Sequence, residues 1–257
     1  MGNKKWFLIL LPFLLFIGCG KKEDRKYITI QASSAPHKEI LEFIKADVEK
    51  EGVLLRIVVM DDYNIPNRAL AEGEIDANFF QHKPFLEEQL KQFGYKIASL
   101  SDVHFEPMGI YGSWDLIKKG GLITVPSDPT NEGRALLLLE KGGIITLKKG
   151  IAYPTLLDIV ENPYGCTFKE VEAAFLARTV DEVAGSVIPT NYALLSGLHP
   201  KKDALLVEDT SSYVNIVTVQ EKDLQNPELL IIKKHLESEK MRLYIESTYQ
   251  GAICPVH

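Results

Sequence analysis

The chain has 257 residues, of which 46% are apolar and 25% charged, and its formal net charge is −6. Proteins that bind nucleic acid normally carry a basic stripe, so this acidic balance argues against a nucleic-acid partner. The apolar content is enough to bury the core of one large domain or of two lobes, and three cysteines are too few for a disulfide-based scaffold.

The N-terminal segment has the pattern of an export signal. A basic stretch at Met1–Lys5 precedes the apolar run Trp6–Ile17, which is too short to span ~30 Å of hydrocarbon. A small residue then precedes Cys19, and the segment resembles a bacterial lipobox, with Phe16 where an aliphatic residue is usual. We predict that residues 1–18 are a lipoprotein signal peptide and that Cys19 carries the lipid; the alternative is an ordinary cleaved signal.

Residues 19–26 are predicted to be a lipidated, solvated tether that holds the mature chain on the extracytoplasmic side of a cell membrane. Removing residues 1–18 takes away two lysines and lowers the formal net charge to −8. With Cys19 modified, the remaining cysteines are Cys166 and Cys254, and neither has a CxxC or metal-type spacing. We predict two free, buried thiols; a disulfide between them is the alternative.

The first elements predict a β-α-β unit. Tyr27–Ala32 alternates apolar and polar residues, and helical spacing of apolar residues follows through Lys38–Glu51. Leu54–Met60 is a β-branched run that suits a buried strand parallel to the first. The elements predicted next are a short helix at Asn67–Glu72, a strand at Ile75–Phe80 and a helix that begins at Lys83.

A second series of elements begins near Gly112. It is predicted to contain a strand at Leu122–Val125 and a helix at Glu132–Lys141 with Asn131 as its N-cap. Later elements are a strand at Ser186–Ile188, a helical segment from Tyr192, a strand at Tyr213–Val219 and a final helix that starts at Pro227 after the cap Asn226.

The alternation of strands and helices predicts an α/β protein. The restart near Gly112 and the late strand predict two lobes between which the chain crosses twice. We assign residues 27–110 plus 217–257 to lobe one and residues 111–216 to lobe two.

Patterns typical of enzyme active sites are missing from the sequence. It contains no Gly-rich phosphate loop, no His-Glu-x-x-His pair, no Gly-x-Ser-x-Gly and no cluster of His or Cys. The adjacent Asp61 and Asp62 suit turn and capping roles better than acid–base chemistry. We therefore predict a binding protein that is not an enzyme and uses no cofactor and no metal.

Arg134 is the first candidate ligand-binding residue. We expect it in the first turn of the helix capped by Asn131, where free N–H groups and the helix dipole favour an anion. A guanidinium at such a place suits a carboxylate, which it can bind through two hydrogen bonds. The alternative is a solvated surface arginine.

Further candidates lie in segments that follow predicted strands, where ligands bind in open α/β sheets. Tyr63, Phe80 and His82 concentrate rings that suit an apolar slot, although each is also typical of a core position. Asn191 and Asn215 can present amides to a charged ligand; the alternatives are a helix cap for Asn191 and a polar residue at a strand edge for Asn215.

Longer motifs resemble the NlpA/MetQ family of methionine-binding lipoproteins. The most specific motifs are Asp62-Tyr63-x-x-Pro66-Asn67, Asp76-Ala77-Asn78-x-Phe80-Gln81-His82-Lys83-Pro84 and Asp128-Pro129-Thr130-Asn131-x-Gly133-Arg134. Shorter matches are Glu161-Asn162-Pro163, Asn191-Tyr192-Ala193 and Tyr213-Val214-Asn215. The similarity covers essentially all of residues 27–257.

This resemblance implies a two-lobed periplasmic-binding-protein fold (type II-like), with a mostly parallel sheet flanked by helices in each lobe and no catalysis. It implies a monomer that captures L-methionine between the lobes and delivers it to an ABC importer, a permease with its cytoplasmic ATPase. Two alternatives stay open: a methionine analogue or methionine-containing dipeptide as ligand, and a surface lipoprotein that acts in adhesion or protein interaction.

The resemblance also implies roles for the candidate residues. Arg134 would hold the ligand carboxylate, and Asn191 and Asn215 would bind the rest of the amino-acid head group. The thioether pocket, where rings suit a polarizable sulfur, would be lined by Tyr63, Phe80 and His82.

Overall fold

The structure is a computed structural model, which describes Gly2, residues 27–209 and residues 212–257. Apart from Gly2, the predicted signal peptide lies outside the described residues, as do the lipidation site Cys19 and the tether. In the part of the chain that is described, no helix is both long and apolar enough to cross a membrane.

Strands and helices alternate along most of the chain. In chain order the strands are β1 (Tyr27–Ala32), β2 (Leu54–Val59), β3 (Ala77–His82), β4 (Ile97–Phe105), β5 (Gly109–Gly112), β6 (Leu122–Pro126), β7 (Thr146–Leu147), β8 (Ile159–Glu161), β9 (Thr167–Val171), β10 (Gly185–Ile188), β11 (Leu206–Val207), β12 (Val214–Gln220) and β13 (Cys254–Pro255). The helices are α1 (His37–Lys50), α2 (Pro66–Glu72), α3 (Lys83–Phe93), α4 (Trp114–Ile117), α5 (Pro129–Lys141), α6 (Ala173–Thr179), α7 (Thr190–Leu195), α8 (Pro200–Asp203), α9 (Pro227–Leu236) and α10 (Glu239–Tyr249).

Two larger sheets organise these elements. The first has the strand order β13-β4-β12-β3-β1-β2, and the second has the order β11-β5-β10-β6-β9. The parallel pairing predicted for β1 and β2 is confirmed. Both sheets are mixed rather than mostly parallel, because β12 runs antiparallel to β3 and β4 and β5 runs antiparallel to β10.

Each large sheet has its own hydrophobic core. In the first, α1 buries Ile40, Ile44 and Val48 against the sheet and against α9 and α10. Full burial of such a side chain contributes about 1.5–3 kcal/mol relative to exposure. In the second, α5 buries Leu136 and Leu139 beside β6. Two separate cores therefore lie in one chain, as expected of two lobes.

The chain passes between the two sheets twice. It leaves the first sheet after β4 and returns to it between β11 and β12. The lobe boundaries predicted after residue 110 and before residue 217 fall inside β5 and β12, which belong wholly to the second and first sheets. We propose on this basis that the crossings lie at residues 106–108 and between β11 and β12.

Away from the pocket, the predictions for β2, for the last helix and for Cys254 differ from the structure. The strand after α1 was expected to be buried, but β2 is the edge strand of its sheet and leaves Val58 and Val59 exposed. The helix capped by Asn226 is confirmed, but it is not the last, since α10 follows it. Both predicted free thiols are free, but only Cys166 is buried, because Cys254 lies in the edge strand β13.

Candidate functional site

A small pocket of about 20 Å³ lies between the two sheets. It is enclosed by the ends of β3 and β12 on one side and by α5 and α7 on the other. A space of this size is close to that of a single water, so the lining groups must separate to admit a larger molecule. The structure brings together at this pocket all the residues predicted from the sequence to bind ligand, namely Tyr63, Phe80, His82, Arg134, Asn191 and Asn215.

Aromatic rings form one wall of the pocket. The Tyr63 ring lies 5.9 Å from that of Phe80, 5.8 Å from that of Phe85 and 5.2 Å from that of Tyr192, measured between centroids. The Tyr63 hydroxyl donates a hydrogen bond of 2.8 Å to Oδ1 of Asn191. Burial raises the pKa of Tyr63 well above its usual value, so this phenol stays protonated and acts as the donor. Phe85 was not predicted from the sequence.

His82 both caps the helix α3 and lines the pocket. Its Nδ1 accepts the backbone N–H of Phe85 at 3.1 Å and so caps α3. Since Nδ1 accepts, Nε2 carries the proton and donates to Oδ1 of Asn131 at 3.0 Å. Burial lowers the pKa of His82 to about 3, so the ring is neutral near pH 7. The hydrogen bond to Asn131 joins the two sides of the pocket.

The start of α5 differs from the prediction. The N-cap is Asp128, whose carboxylate accepts the backbone N–H of Asn131 at 3.1 Å, and the helix begins at Pro129. Pro129 has a φ angle suited to the first helical position and no N–H that would need a partner. Asn131 is therefore a residue of the first turn, and it is free to bind His82 through its side chain.

Arg134 is buried, with 3% of its surface exposed, so the solvated-surface alternative is wrong. It is the sixth residue of α5 and lies in the second turn, beyond the free N–H groups that the sequence-based interpretation invoked. Its Nε donates to the two carboxylate oxygens of Glu208 at 3.1 and 2.9 Å, and its Nη2 donates to Glu208 and to the backbone carbonyl of Glu106. Its guanidinium carbon lies 4.3 Å from the centre of the Tyr213 ring.

The two predicted asparagines lie in regular elements. Asn191 is the second residue of α7 rather than its cap, because Pro189 precedes the helix, and it accepts from Tyr63. Asn215 is buried in β12, which lies between β3 and β4, so it is not at a sheet edge. Its Oδ1 accepts from Nε2 of His37 at 3.1 Å.

A buried group that the sequence analysis missed adjoins Asn215. Oε1 of Glu106 lies 2.7 Å from Nε2 of His104 and 3.3 Å from Nε2 of His37. Burial lowers the pKa of His37 to about 4 and that of His104 to about 3, whereas it raises the pKa of Glu106. The one signal in the sequence was the position of the acidic residue Glu106 between Phe105 and Pro107.

His37, His104 and Glu106 are also residue types that ligate metals, with ligand atoms within 4.8 Å of one another. However, Nε2 of both histidines is already engaged with Glu106, and Nε2 of His37 also meets Asn215. Nδ1 of His37 lies 2.5 Å from the Ser33 hydroxyl. We therefore interpret the group as a hydrogen-bond network that supports the pocket.

Buried amide side chains from the first two motifs support β3. Asn67 and Gln81 exchange side-chain hydrogen bonds of 2.8 and 2.7 Å, and Gln81 also donates to Thr218 at 3.1 Å. Asn78 donates to Asn67 at 3.0 Å. These buried contacts tie β3 to α2 and β12, and so hold Phe80 and His82 in place.

A wider cavity of about 430 Å³ opens outside the pocket and shares Tyr63 and Phe85 with it. Its lining is acidic and includes Asp62, Asp128 and Glu172. Asp62 accepts the backbone N–H groups of residues 64 and 65, which confirms its predicted turn role. Because the two linings share the Tyr63 and Phe85 side chains, the cavity adjoins the pocket.

Comparison with known proteins yields consistent matches. Residues 28–257 match the family model of the NlpA lipoprotein. The chain is 43% identical over 229 residues to the D-methionine-binding lipoprotein MetQ of Salmonella typhi, an alignment that covers 84% of each chain.

Solved structures agree with this similarity. A nutrient-binding protein from Burkholderia cenocepacia bound to methionine has a TM-score of 0.86 and 38% identity, with 90% of this chain and 100% of that chain covered. A periplasmic substrate-binding protein of an ABC transporter from Coxiella burnetii has a TM-score of 0.83 and 38% identity, with coverage of 89% and 100%. The predicted two-lobed periplasmic-binding-protein fold is confirmed.

Proposed function

Because the chain belongs to the NlpA lipoprotein family, we propose that it is an extracytoplasmic substrate-binding lipoprotein that captures L-methionine between its lobes for an ABC importer. The observation that carries this proposal is the pocket itself. It combines a buried guanidinium, two buried amides and a wall of aromatic rings in one enclosed space. That combination suits a small molecule with a charged head group and an apolar side chain.

We assign the head group of the ligand to the polar wall. The guanidinium of Arg134 binds the carboxylate, and the amides of Asn191 and Asn215 bind the remaining polar atoms of the head group. Both asparagines are almost fully buried, so their amides meet the ligand without competition from bulk water. No chemical step on the ligand is part of the proposal.

The thioether of the ligand is assigned to the aromatic wall. Tyr63, Phe80 and His82 present ring faces and edges, and a sulfur near such rings contributes about 0.3–1.5 kcal/mol per contact. The neutral state of His82 favours this assignment, because a charged imidazolium beside a thioether would be poorly solvated.

Ligand capture is coupled to the approach of the two lobes. Tyr63 and His82 come from the side of the first sheet, and their hydrogen-bond partners Asn191 and Asn131 come from the side of the second. A ligand that contacts both sides has more interactions when they are close together, so it shifts the protein toward the closed state.

Location and partners follow from the family and from the N-terminal motif. We propose that Cys19 carries lipid and holds a monomeric receptor at the extracytoplasmic face of a membrane, close to the permease that receives the ligand. A tether raises the local concentration of the receptor at its partner, which favours transfer without any further contact.

The test is to identify what the purified protein binds. The full-length chain is purified in detergent, examined by native mass spectrometry, and any bound molecule is released and identified. Calorimetry then compares L-methionine, D-methionine and norleucine, which replaces the sulfur by a methylene. Methionine as the bound molecule supports the proposal. A methionine-containing dipeptide or another amino acid would overturn the ligand and keep the receptor role, whereas absence of any small-molecule binding would favour the adhesion alternative.

A further inference from the structure

The charges at the pocket do not balance. Arg134 is the cation there, and Glu208 pairs with it through both carboxylate oxygens. Glu106 is a second buried carboxylate that lines the pocket. The histidines that contact it, His37 and His104, have pKa values lowered to about 4 and 3 by burial, so they are neutral near pH 7. Among the residues that the structure describes, the Glu106 carboxylate therefore lacks a cation of its own.

Neutral donors hold the Glu106 carboxylate in position. The contacts of its carboxylate are Nε2 of His104, Nε2 of His37 and the backbone N–H of Asn191. Such donors orient a carboxylate but carry no charge, and a buried charge without a charged partner is unfavourable by several kcal/mol. Burial accordingly raises the pKa of Glu106, although His37 and Arg134 act in the opposite direction. Unbalanced buried charge of this kind is typical of a binding site.

The acceptor oxygens of the pocket converge near Glu106. Nε2 of His37 lies 3.3 Å from the Glu106 carboxylate and 3.1 Å from Oδ1 of Asn215, so both acceptors are close to one atom. The guanidinium of Arg134 also adjoins Glu106, because its Nη2 donates to the Glu106 backbone carbonyl. The pocket therefore presents a cation, the Arg134 guanidinium, and an anion, the Glu106 carboxylate, close to each other.

A cation and an anion close together match the two charged groups of an α-amino acid zwitterion. An ammonium group has three donors and no acceptor, and it needs acceptor oxygens and a negative charge. We propose that Glu106 binds the α-ammonium group of the ligand and restricts the pocket to ligands with a free amino group. This inference rests on the proposed function and adds to it the residue that recognises the amine. Because Glu208 already neutralises Arg134, the amine contributes more to binding than the carboxylate does.

The experiment uses two ligands that each lack one charged group of methionine. 3-(Methylthio)propan-1-amine keeps the ammonium and lacks the carboxylate, and 4-(methylthio)butanoate keeps the carboxylate and lacks the ammonium. Both are titrated, together with L-methionine, into the full-length chain in detergent. We expect the amine to bind at least about tenfold more tightly than the acid. An acid bound as tightly as the amine, or an amine with no detectable binding, would overturn the inference.

The substitution Glu106→Gln removes the charge of this side chain and keeps its size and its capacity for hydrogen bonding. We expect affinity for L-methionine and for the amine to fall by at least about 30-fold, the lower end for loss of one partner of a buried charge pair. Affinity for the acid should stay within about threefold of wild type or increase. The matched control is Glu49→Gln, at an exposed position of α1, which should change none of the three affinities.

The outcomes separate the inference from the function on which it rests. An equal loss for all three ligands in Glu106→Gln would assign Glu106 a structural role and overturn the inference, with methionine binding by wild type still intact. Failure of wild type to bind methionine would overturn the proposed function as well. If Glu106→Gln does not fold, as judged by circular dichroism, the amine-to-acid comparison in wild type decides the question alone.

Discussion

Arg134 and Glu208 form a buried ion pair that joins α5 to the segment after β11. Oε2 of Glu208 also accepts the backbone N–H of Met108 at 3.1 Å, in the segment that follows β4. The guanidinium is thus fixed where both crossings between the sheets meet. An arginine held in this way is oriented before any ligand arrives, which reduces the entropy lost on binding.

Replacement of Arg134 by alanine should weaken methionine binding. The variant lacks the partner of the ligand carboxylate and also leaves Glu208 as an unpaired negative charge beside it. We therefore expect a loss of about 2–5 kcal/mol in binding free energy, measured by calorimetry. The control is Arg242→Ala, since Arg242 pairs with Glu239 and Glu246 on the surface of α10. Near-wild-type affinity of the Arg134 variant would contradict the assignment.

The Arg134–Glu208 pair should also show strong coupling in stability. Arg134→Met alone leaves a buried carboxylate without its partner, and the expected loss in unfolding free energy is about 3–5 kcal/mol. The double variant Arg134→Met/Glu208→Leu removes both charges and should recover much of that loss. Urea denaturation of the two single variants and the double variant gives the coupling energy; simple additivity would show that the pair is not coupled.

Tyr63→Phe tests the hydrogen bond that links the two sides of the pocket. The substitution keeps the ring against Phe80 and removes only the donor to Asn191. We expect methionine affinity to fall by about 0.5–1.5 kcal/mol, the net value of one such bond. Tyr164→Phe, on the partly exposed Tyr164 away from the pocket, is the control and should leave affinity unchanged.

The buried histidines predict a dependence of stability on pH. Burial lowers the pKa values of His37, His82 and His104 to between about 3 and 4, below the ordinary value of 6.5. As pH falls below 6.5 the unfolded chain therefore binds protons that the folded chain does not, and the unfolding free energy decreases. Each histidine contributes up to about 1.4 kcal/mol per pH unit, fully between about pH 6 and 4.

The raised pKa of Glu106 acts in the opposite direction, since the folded protein then binds a proton more readily than the unfolded chain does. We expect the histidines to dominate because there are three of them. Denaturation curves at pH 7 and pH 5 measure the effect. The substitution His82→Gln should reduce the slope of the unfolding free energy against pH by the contribution of one histidine. A protein that is equally stable at both pH values would contradict this account.

Local patterns in the sequence were sufficient for most of the elements. The alternation at Tyr27–Ala32 and the helical spacing that follows it indicated β1 and α1 close to their observed bounds. The cap Asn226 and Pro227 located the start of α9. These features depend on neighbours in the chain, which is why periodicity and capping rules find them.

Features that depend on distant segments were not found. Nothing local to Leu54–Val59 shows that it ends its sheet, because that depends on which strands pair elsewhere. Likewise, Glu106 and Glu208 look like ordinary acidic residues until the two crossings bring them to Arg134. By contrast, α10 had readable signals in Ser238, which caps it, and in the buried Met241 and Ile245.

After Gly2, the described part of the chain begins with a strand: β1 starts at Tyr27 and pairs on both sides, with β2 and with β3. Eight residue steps separate Tyr27 from the proposed lipid attachment at Cys19. At full extension they span at most about 29 Å, less than the thickness of a small domain plus a headgroup layer. On the proposal that Cys19 carries lipid, a linker of this length keeps the receptor beside its membrane, and ligand exchange is confined to transporters in that same membrane.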